Sequence, residues 1–284
     1  MRLLSLKLLY VGLLFGISSA QAEITEDLAS KERKPLYEIG IGAGSGFFSH
    51  YPASDQGQWR SLILPTLRYR GSIFRADEED GVRAKILSDP RYGIELSGAG
   101  ILPVPSDANS ARIGMPDLDL LGEAGPQLYF ILLKNSTFEC RFFLPVRVAA
   151  STNFSNLRFR GYTTAPGIDF RKLLPKPFGA VRLKLSTVFA SREYQEYYYD
   201  VSEEYVTSDR NAHRSDGGYL GARSDVSYSA EWDRIAVFFQ VGYQNYKGAR
   251  NSASPLFRSE HNLSGLVALR WLLFKSNIRE DDRL

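Results

Sequence analysis

Residues 138–150 read Phe-Glu-Cys-Arg-Phe-Phe-Leu-Pro-Val-Arg-Val-Ala-Ala. One alternating set is apolar throughout: Phe138, Cys140, Phe142, Leu144, Val146, Val148 and Ala150. The other set carries Glu139, Arg141 and Arg147. Because successive side chains of a strand point to opposite faces, this pattern predicts a strand with one apolar and one charged face. The stretch is longer than the about 5 to 6 residues of an ordinary strand and exceeds the about 9 to 11 that a tilted strand needs to cross a bilayer.

The same alternation recurs along the chain, and no segment after residue 22 shows a helical apolar stripe over three turns. It marks twelve predicted strands, which begin near Tyr37, Trp59, Ser72, Gly81, Arg91, Leu118, Phe138, Leu157, Phe178, Gly218, Ile235 and Asn262. Short turns are predicted near residues 70–71, 89–90, 134–135, 175–177 and 232–233. They alternate with long connections at 45–58, 101–117, 191–217 and 247–261, apart from short links at 78–80 and near residue 155. The alternation of short and long connections predicts an all-β fold. We expect a transmembrane up-and-down antiparallel barrel of about twelve strands, with ten or fourteen as open alternatives.

The average composition resembles that of a soluble protein, with 44% hydrophobic residues, 24% charged residues and a mean hydropathy of −0.23. After residue 22 the longest uncharged run is residues 39–54, shorter than the roughly 18 to 20 apolar residues of a membrane-spanning helix. A twelve-stranded barrel encloses more volume than apolar side chains fill. We therefore assign the charged face to a wet interior and the apolar face to lipid.

The N-terminus predicts export. Arg2 and Lys7 precede an apolar run, and small residues around Ala20 and Ala22 offer a signal-peptidase site. We expect a signal peptide at 1–22, a periplasmic segment at 23–36, an outer-membrane barrel at 37–274 and a periplasmic extension at 275–284. Removal of the signal peptide lowers the formal net charge from +3 to +1. Global charge then gives no reason to expect a nucleic-acid partner.

No pattern in the sequence predicts a catalytic, cofactor or metal site, and we expect a protein that is not an enzyme. His50, His213 and His261 fall in predicted external loops, where solvated histidines are the simpler interpretation. The glycine repeat at 40–46 lacks the following helix that a dinucleotide site requires and favours a strand with room for its neighbours. The tyrosines at 194 and 197–199 suit either an adhesive, sugar-stacking surface or an aromatic girdle at the lipid interface.

The phase of the strands predicts a basic cluster on the inward faces. Its members are Arg68, Arg70, Arg83, Lys85, Arg141, Arg147, Arg158, Arg160, Arg182, Lys184, Arg223 and Arg270. The inward carboxylates opposing them are Glu95, Glu123, Glu139 and Asp225. An open lumen of this kind would favour anions, because charged rings set ion preference. The alternative is that arginine and acidic side chains interlock and plug the interior.

Several short stretches resemble the MipA/OmpV family of outer-membrane proteins, which is named for an MltA-interacting scaffold protein. In chain order they are Tyr51-Pro52-Ala53-Ser54-Asp55, Leu64-Pro65, Tyr69-Arg70-Gly71, Leu102-Pro103-Val104, Gly114-Met115-Pro116-Asp117-Leu118-Asp119, Phe189-Ala190-Ser191-Arg192-Glu193-Tyr194, Gly217-Gly218-Tyr219-Leu220-Gly221-Ala222-Arg223 and Ser254-Pro255-Leu256. Each motif is weak alone, but their order along 37–274 is specific. One departure is that Phe274 is followed by ten more residues, whereas the family usually ends on a terminal aromatic.

The resemblance implies a non-catalytic scaffold for peptidoglycan synthesis and hydrolysis enzymes in the cell envelope. It implies a lytic transglycosylase and a peptidoglycan synthase as partners, besides outer-membrane lipid and the barrel assembly machinery during biogenesis. The alternative is a porin-like channel with anion preference, or an osmotic-response or adhesin protein of the outer membrane. The sequence does not identify a transported solute or an oligomeric state.

Overall fold

The computed structural model describes residues 35–70, 74–77 and 81–278, without the side chains of 74–77, 81–85 and 88. The predicted signal peptide, residues 23–34 of the N-terminal segment and residues 279–284 of the extension lie outside the described residues. In the described part of the chain, no helix is both long enough and apolar enough to span a membrane.

The described residues form antiparallel strands and one short helix. The strands are β1 (Tyr37–Ser49), β2 (Gly57–Arg70), β3 (Phe74–Asp77), β4 (Gly81–Ser88), β5 (Tyr92–Ile101), β6 (Leu120–Lys134), β7 (Phe138–Thr152), β8 (Leu157–Thr164), β9 (Gly167–Leu173), β10 (Ala180–Ala190), β11 (Gly218–Trp232), β12 (Ile235–Asn245) and β13 (His261–Lys275). The helix, α1, is Arg192–Tyr199 and lies between β10 and β11.

Apart from β8 and β9, each described strand pairs with the next along the chain, and β13 pairs with β1, so the sheet closes on itself. β8 and β9 are two parts of one wall position. Both pair with β7 and with β10, and residues 165–166, which include Pro166, interrupt them. Counting the pair as one gives twelve antiparallel positions, which confirms the predicted barrel and its strand number.

The outward faces are apolar, as predicted. On β7, Val146 and Val148 are exposed while Arg141 and Ala149 are buried. On β13, Val267, Leu269, Trp271 and Leu273 are exposed outward. Cys140 also lies on the outward face but is covered by its neighbours, at 5% exposure. Exposed apolar side chains that alternate on successive strands are the surface that a lipid bilayer covers.

The strands begin within about two residues of the predicted positions, because turns and alternation are both local signals. β13 does not end at Phe274. Lys275 pairs with Glu38, the Ser276 amide donates to the Tyr37 carbonyl, and the Leu36 amide donates to the Ile278 carbonyl. The first residues after Phe274 therefore continue the closure of the wall.

A charge placed on the outward face is expected to destabilise the barrel far more than the same charge placed inward. Val241 faces outward and is 60% exposed, whereas the adjacent Gln240 faces inward and donates to Asp225 Oδ1 at 3.0 Å. Val241→Arg should lower the free energy of unfolding in lipid vesicles by about 2–4 kcal/mol. Gln240→Arg should be nearly neutral, because its guanidinium can replace the amide as a donor to Asp225. Equal losses for the two variants would contradict the assignment of the faces.

Candidate functional site: the charged interior and the loop cap

The start of β1 and the end of β13 define one end of the barrel, the terminal end. Its interior holds a cluster of ion pairs across the closure of the sheet. The Glu38 carboxylate of β1 accepts Arg68 and Arg70 of β2 at 3.4 and 3.3 Å and Arg270 of β13 at 3.5 Å. Glu231 of β11 pairs with Arg68 at 2.8 Å and Arg270 at 3.1 Å. Glu38, Arg70 and Arg270 are buried. The cluster links four strands around the point where β13 meets β1.

A second ionic cluster occupies the terminal end on the opposite wall. Asp169 of β9 accepts Arg141 Nε of β7 at 2.9 Å and is bound by the Arg182 guanidinium of β10. Glu95 of β5 accepts Gln127 Nε2 of β6 at 2.7 Å. All five residues are buried. Such charges are stable only where they are paired, so the two clusters fill this end of the interior with interlocked side chains.

The middle of the interior is more open. Arg223 of β11 donates to Asp225 Oδ2 at 2.7 Å, and its side chain is nevertheless 47% exposed although it faces inward. Lys184 of β10 is half-buried, with Nζ 4.5 Å from the Phe143 ring centroid. Arg147 of β7 donates to Ser97 Oγ of β5 at 3.0 Å. Water therefore reaches Arg223 in this region, whereas Lys184 is half-buried and Arg147 is mostly covered.

At the other end of the barrel, the loop end, the long connections pack into a cap. Its buried core draws residues from four of them: Tyr51, Val104, Met115, Leu118, Tyr194, Tyr198, Tyr199, Val201 and Leu256. Helix α1 supplies three of these four tyrosines, since positions 194, 195, 198 and 199 lie on one helical face. The Tyr194 hydroxyl donates to Glu123 Oε1 at 2.8 Å, which ties the helix to the inner wall of β6. The cap therefore sits across the mouth of the barrel.

Hydrogen bonds between connections hold the cap together. Gln195, which has no exposed surface, donates to the Gly218 carbonyl at 3.0 Å and accepts Asn251 Nδ2 at 2.6 Å. The Tyr51 hydroxyl donates to the Leu256 carbonyl at 2.8 Å, and the Tyr199 hydroxyl donates to the Pro52 carbonyl at 2.9 Å. Each bond joins segments far apart in sequence, so the cap is a folded layer and not a set of independent loops.

Burial keeps the cap tyrosines neutral. It raises the pKa of Tyr51 and of Tyr197 to about 12 each. It also raises the pKa values of Tyr194, Tyr198 and Tyr199 well above their usual range. At neutral pH these hydroxyls are neither acids nor nucleophiles. Those of Tyr51, Tyr194, Tyr197 and Tyr199 donate hydrogen bonds. Neither of the two expectations for the tyrosines holds, since they form the core of the cap instead of an adhesive surface or a lipid girdle.

His50 and Asn109 join two of the connections. Asn109 Oδ1 accepts the Ala111 amide at 3.1 Å, which orients the Asn109 amide group so that Nδ2 donates to Ser54 Oγ at 3.1 Å and to His50 Nδ1 at 3.0 Å. His50 must therefore accept at Nδ1, which requires the neutral ring. Burial, and then the charge of Arg60, lower the pKa of His50.

The predicted basic cluster divides between these layers. Arg68, Arg70, Arg141, Arg182 and Arg270 lie in the two terminal clusters, and Arg147, Lys184 and Arg223 lie in the middle. Arg160 stacks on the Tyr197 ring at 4.2 Å below the cap, and Arg158 is exposed near the outer end of β8. The side chains of Arg83 and Lys85 are outside the described residues. The anion preference inferred from the cluster stays a prediction.

The sequence interpretation omitted three inward carboxylates and two inward arginines: Glu38, Asp169, Glu231, Arg60 and Arg171. Strand phase contains the signal for Glu38, because Ile39 and Ile41 mark the outward face of β1. Asp169 was missed because the break at residues 165–166 obscures the phase of β9. The omitted carboxylates are the ones that hold the terminal clusters together.

The three histidines are not brought together. His50 lies in the cap, and the backbone of His213 forms an isolated β-bridge with that of Val201. His261 Nδ1 lies 2.7 Å from the Tyr243 hydroxyl. Across the described residues, no group of three or more histidine, cysteine or carboxylate side chains has the geometry to hold a metal ion. The predicted absence of a catalytic site stays a prediction.

The cap is expected to loosen at acid pH. A histidine whose pKa is lower in the folded cap than in the unfolded chain contributes stability above about pH 6.5, and that contribution is lost as the pH falls through the lowered value. Hydrogen-exchange protection of residues 109–113, corrected for intrinsic rates, should fall between about pH 7.5 and pH 5. His50→Gln, which cannot titrate, should remove most of this dependence. An unchanged pH profile in the variant would show that another group is responsible.

The chain is similar in sequence to one known family. The family model of the MltA-interacting protein MipA matches residues 41–273. No curated protein matches the sequence. Among solved structures, a bacterial polysaccharide outer-membrane secretin aligns with 9% identity and a TM-score of 0.41, over 86% of this chain and 100% of that one. The NanC porin aligns with 9% identity and a TM-score of 0.36, over 84% of this chain and 100% of that one. Because the family model covers nearly the whole barrel, the chain belongs to the MipA family of outer-membrane barrel proteins.

Proposed function

We propose that this barrel is a non-catalytic scaffold that holds peptidoglycan-synthesising and peptidoglycan-hydrolysing enzymes at the outer membrane. The observation that carries the proposal is the folded cap, whose buried core lies across the loop end. A general pore needs an open path, whereas a scaffold needs only an anchored, rigid body. The cap and the interlocked terminal end both favour the second role.

The partners follow from the family and from the topology. The family is described by its interaction with MltA, and we infer a lytic transglycosylase and a peptidoglycan synthase as partners here. The start of β1 and the end of β13 lie at the end opposite the long loops, where the connections are short. This is the periplasmic end in an outer-membrane barrel, so the terminal segments and short turns face the compartment where cell-wall enzymes work.

An anion-preferring channel is the second candidate, and the middle of the interior favours it. Arg223 of β11 is exposed to the lumen, and Lys184 of β10 and Arg147 of β7 lie nearby. Charges in such positions would select anions if a path existed. In this role the cap would have to move away from the mouth of the barrel. That movement requires the hydrogen bond from the Tyr194 hydroxyl to Glu123 to break.

Capture of cell-wall enzymes from solubilised envelopes tests the scaffold role. The terminal segments can be removed without disturbing closure if Pro35, Leu36 and Ile278 are kept, because Arg70 Nη1 donates to the Pro35 carbonyl and the Leu36 amide to the Ile278 carbonyl. We expect the intact chain to capture a lytic transglycosylase. A chain lacking 23–34 and 279–284 should fold and capture several-fold less.

The matched control is the outward variant Tyr162→Phe, which leaves both periplasmic segments intact and should capture as the intact chain does. If no cell-wall enzyme co-purifies with the intact chain, the scaffold proposal fails and the channel remains. Full capture by the truncated chain would place docking on the short turns.

A further inference from the structure

The turns at the terminal end of the barrel are surrounded by exposed cations. Three of these cations lie in the turns themselves, and three lie at the terminal ends of β6, β9 and β13. Together they form a surface that we call the basic rim: Arg91, Lys176, Arg234, Lys134, Lys172 and Lys275. Each described turn of this end lies next to at least one member of the rim, so the positive charge is spread around the barrel.

Few carboxylates accompany these cations on the surface. In the described turns they are Asp89 and Asp233, so six cations stand against two carboxylates, an excess of four positive charges. Asp89 Oδ1 accepts the Arg91 amide at 2.9 Å and thereby closes its own turn. Two further carboxylates near this end, Glu139 and Glu231, face inward. The rim is therefore strongly basic on its exposed side.

The cations of the rim are available to a partner. Within the described part of the chain, three of them form no ion pair: Arg91, Lys176 and Arg234. Lys172 Nζ donates to the neutral Thr137 Oγ1 at 2.8 Å, and Lys134 Nζ lies 3.9 Å from Glu139. An approaching anion can therefore bind the rim without breaking a close ion pair.

The loop end has the opposite balance. Exposed carboxylates outnumber exposed cations in the described connections of that end. Three of its exposed cations pair with carboxylates at distances from 2.7 to 3.9 Å: Lys247, Arg250 and Arg258. The small net charge of the chain therefore combines an acidic loop end with a basic terminal end.

This asymmetry favours a periplasmic partner over lipid head groups. Exposed aromatic side chains adjoin the turn cations, among them Tyr92 and Trp232, and such a belt marks the edge of the hydrocarbon. If the rim served to hold head groups, a similar basic excess would be expected at the loop end, where the outer leaflet carries phosphate-rich lipopolysaccharide. The cations of the loop end are paired instead, so the rim points to an anion in the periplasm.

The spread of the charge favours a polymer over a compact anion. Neighbouring strands lie about 4.8 Å apart, so successive turns are separated by roughly 10 Å across the strands. A small anion could contact one or two of these cations, whereas an extended polyanion can contact many. Peptidoglycan is such a polymer, because its stem peptides carry free carboxylates at regular intervals.

We propose that the basic rim binds the peptidoglycan layer directly, through the free carboxylates of its stem peptides. Each exposed ion pair is weak and is screened by salt, so the binding depends on several rim cations at once. This interaction goes beyond the proposed scaffold role, because it needs no partner enzyme. It shares with that role only the periplasmic orientation of the terminal end.

Co-sedimentation with isolated peptidoglycan sacculi tests the proposal. The intact barrel, purified in detergent, should sediment with the sacculi at low ionic strength and should be released as salt is added. The rim variant carries Arg91→Gln, Lys176→Gln and Arg234→Gln. It should fold, because Arg91 and Arg234 bond to the wall through their backbone carbonyls. We expect several-fold less of the rim variant in the pellet.

A loop-end variant is the matched control. It carries Lys247→Gln, Arg250→Gln and Arg258→Gln, which removes the same formal charge, and it should sediment as the intact barrel does. The strand signal in circular dichroism checks that both variants are folded. Sacculi whose carboxyl groups have been converted to amides should retain several-fold less of the intact barrel.

Equal losses in the two variants, or equal binding to native and amidated sacculi, would overturn the proposal. An intact barrel that stays in the supernatant would also overturn it. More phosphatidylglycerol on the intact barrel than on the rim variant in native mass spectrometry would then identify the rim as a lipid head-group surface.

The chain that lacks 23–34 and 279–284 separates this proposal from the scaffold role. The removed segments carry seven acidic and five basic side chains and so add no net positive charge. The shortened chain should therefore still sediment with sacculi, although it is expected to capture less enzyme. Loss of its sedimentation would assign the binding to the removed segments and would overturn the role of the rim.

Discussion

Closure of the sheet is the constraint on which the rest of this structure depends. In lipid, backbone N–H and C=O groups have no water to bind, so a strand edge must be paired or exposed to something polar. The register between β1 and β13, from Glu38–Lys275 to Phe47–Gly265, satisfies this requirement where the first and the last strand meet. Glu38 lies where β1 and β13 meet and forms ion pairs with arginines of β2 and β13. The ionic cluster around Glu38 therefore also stabilises the closure of the sheet.

The interior follows from the same closure. Period-two alternation places most of the described charged side chains of the wall on one surface, and twelve positions enclose a space too wide for apolar packing. Pairing fills the terminal end, water reaches Arg223 in the middle, and aromatic packing covers the loop end. A buried pair such as Asp169 with Arg141 and Arg182 is costly to break, because one partner would then remain charged without compensation. These layers make the barrel a stable body whose ends differ in chemistry.

Much of the fold was predictable because its signals are local. Alternation at residues 138–150 and turns such as the one before Phe138 identify strands without knowledge of their partners. The cap was not predictable in this way. Helix α1 has only two turns, so its apolar period is too short to detect, and its tyrosines carry strand propensity as well. The bonds from Gln195 to Gly218 and Asn251 join distant segments, and no local pattern encodes them.

The sign of the charged side chains inside the barrel was predictable, but the way in which they pair was not. Phase identified the cations on long, regular strands and missed Asp169, whose strand is broken at Pro166.

Ion conductance in planar bilayers tests the central claim, that this is a closed barrel sealed by its cap. The intact protein should show no steady conductance. Replacing Gln195 and Tyr198 together by alanine removes a hydrogen-bond centre and a buried ring of the cap, and should produce a conductance that favours anions. A steady conductance of the intact protein equal to that of the double variant would contradict the account.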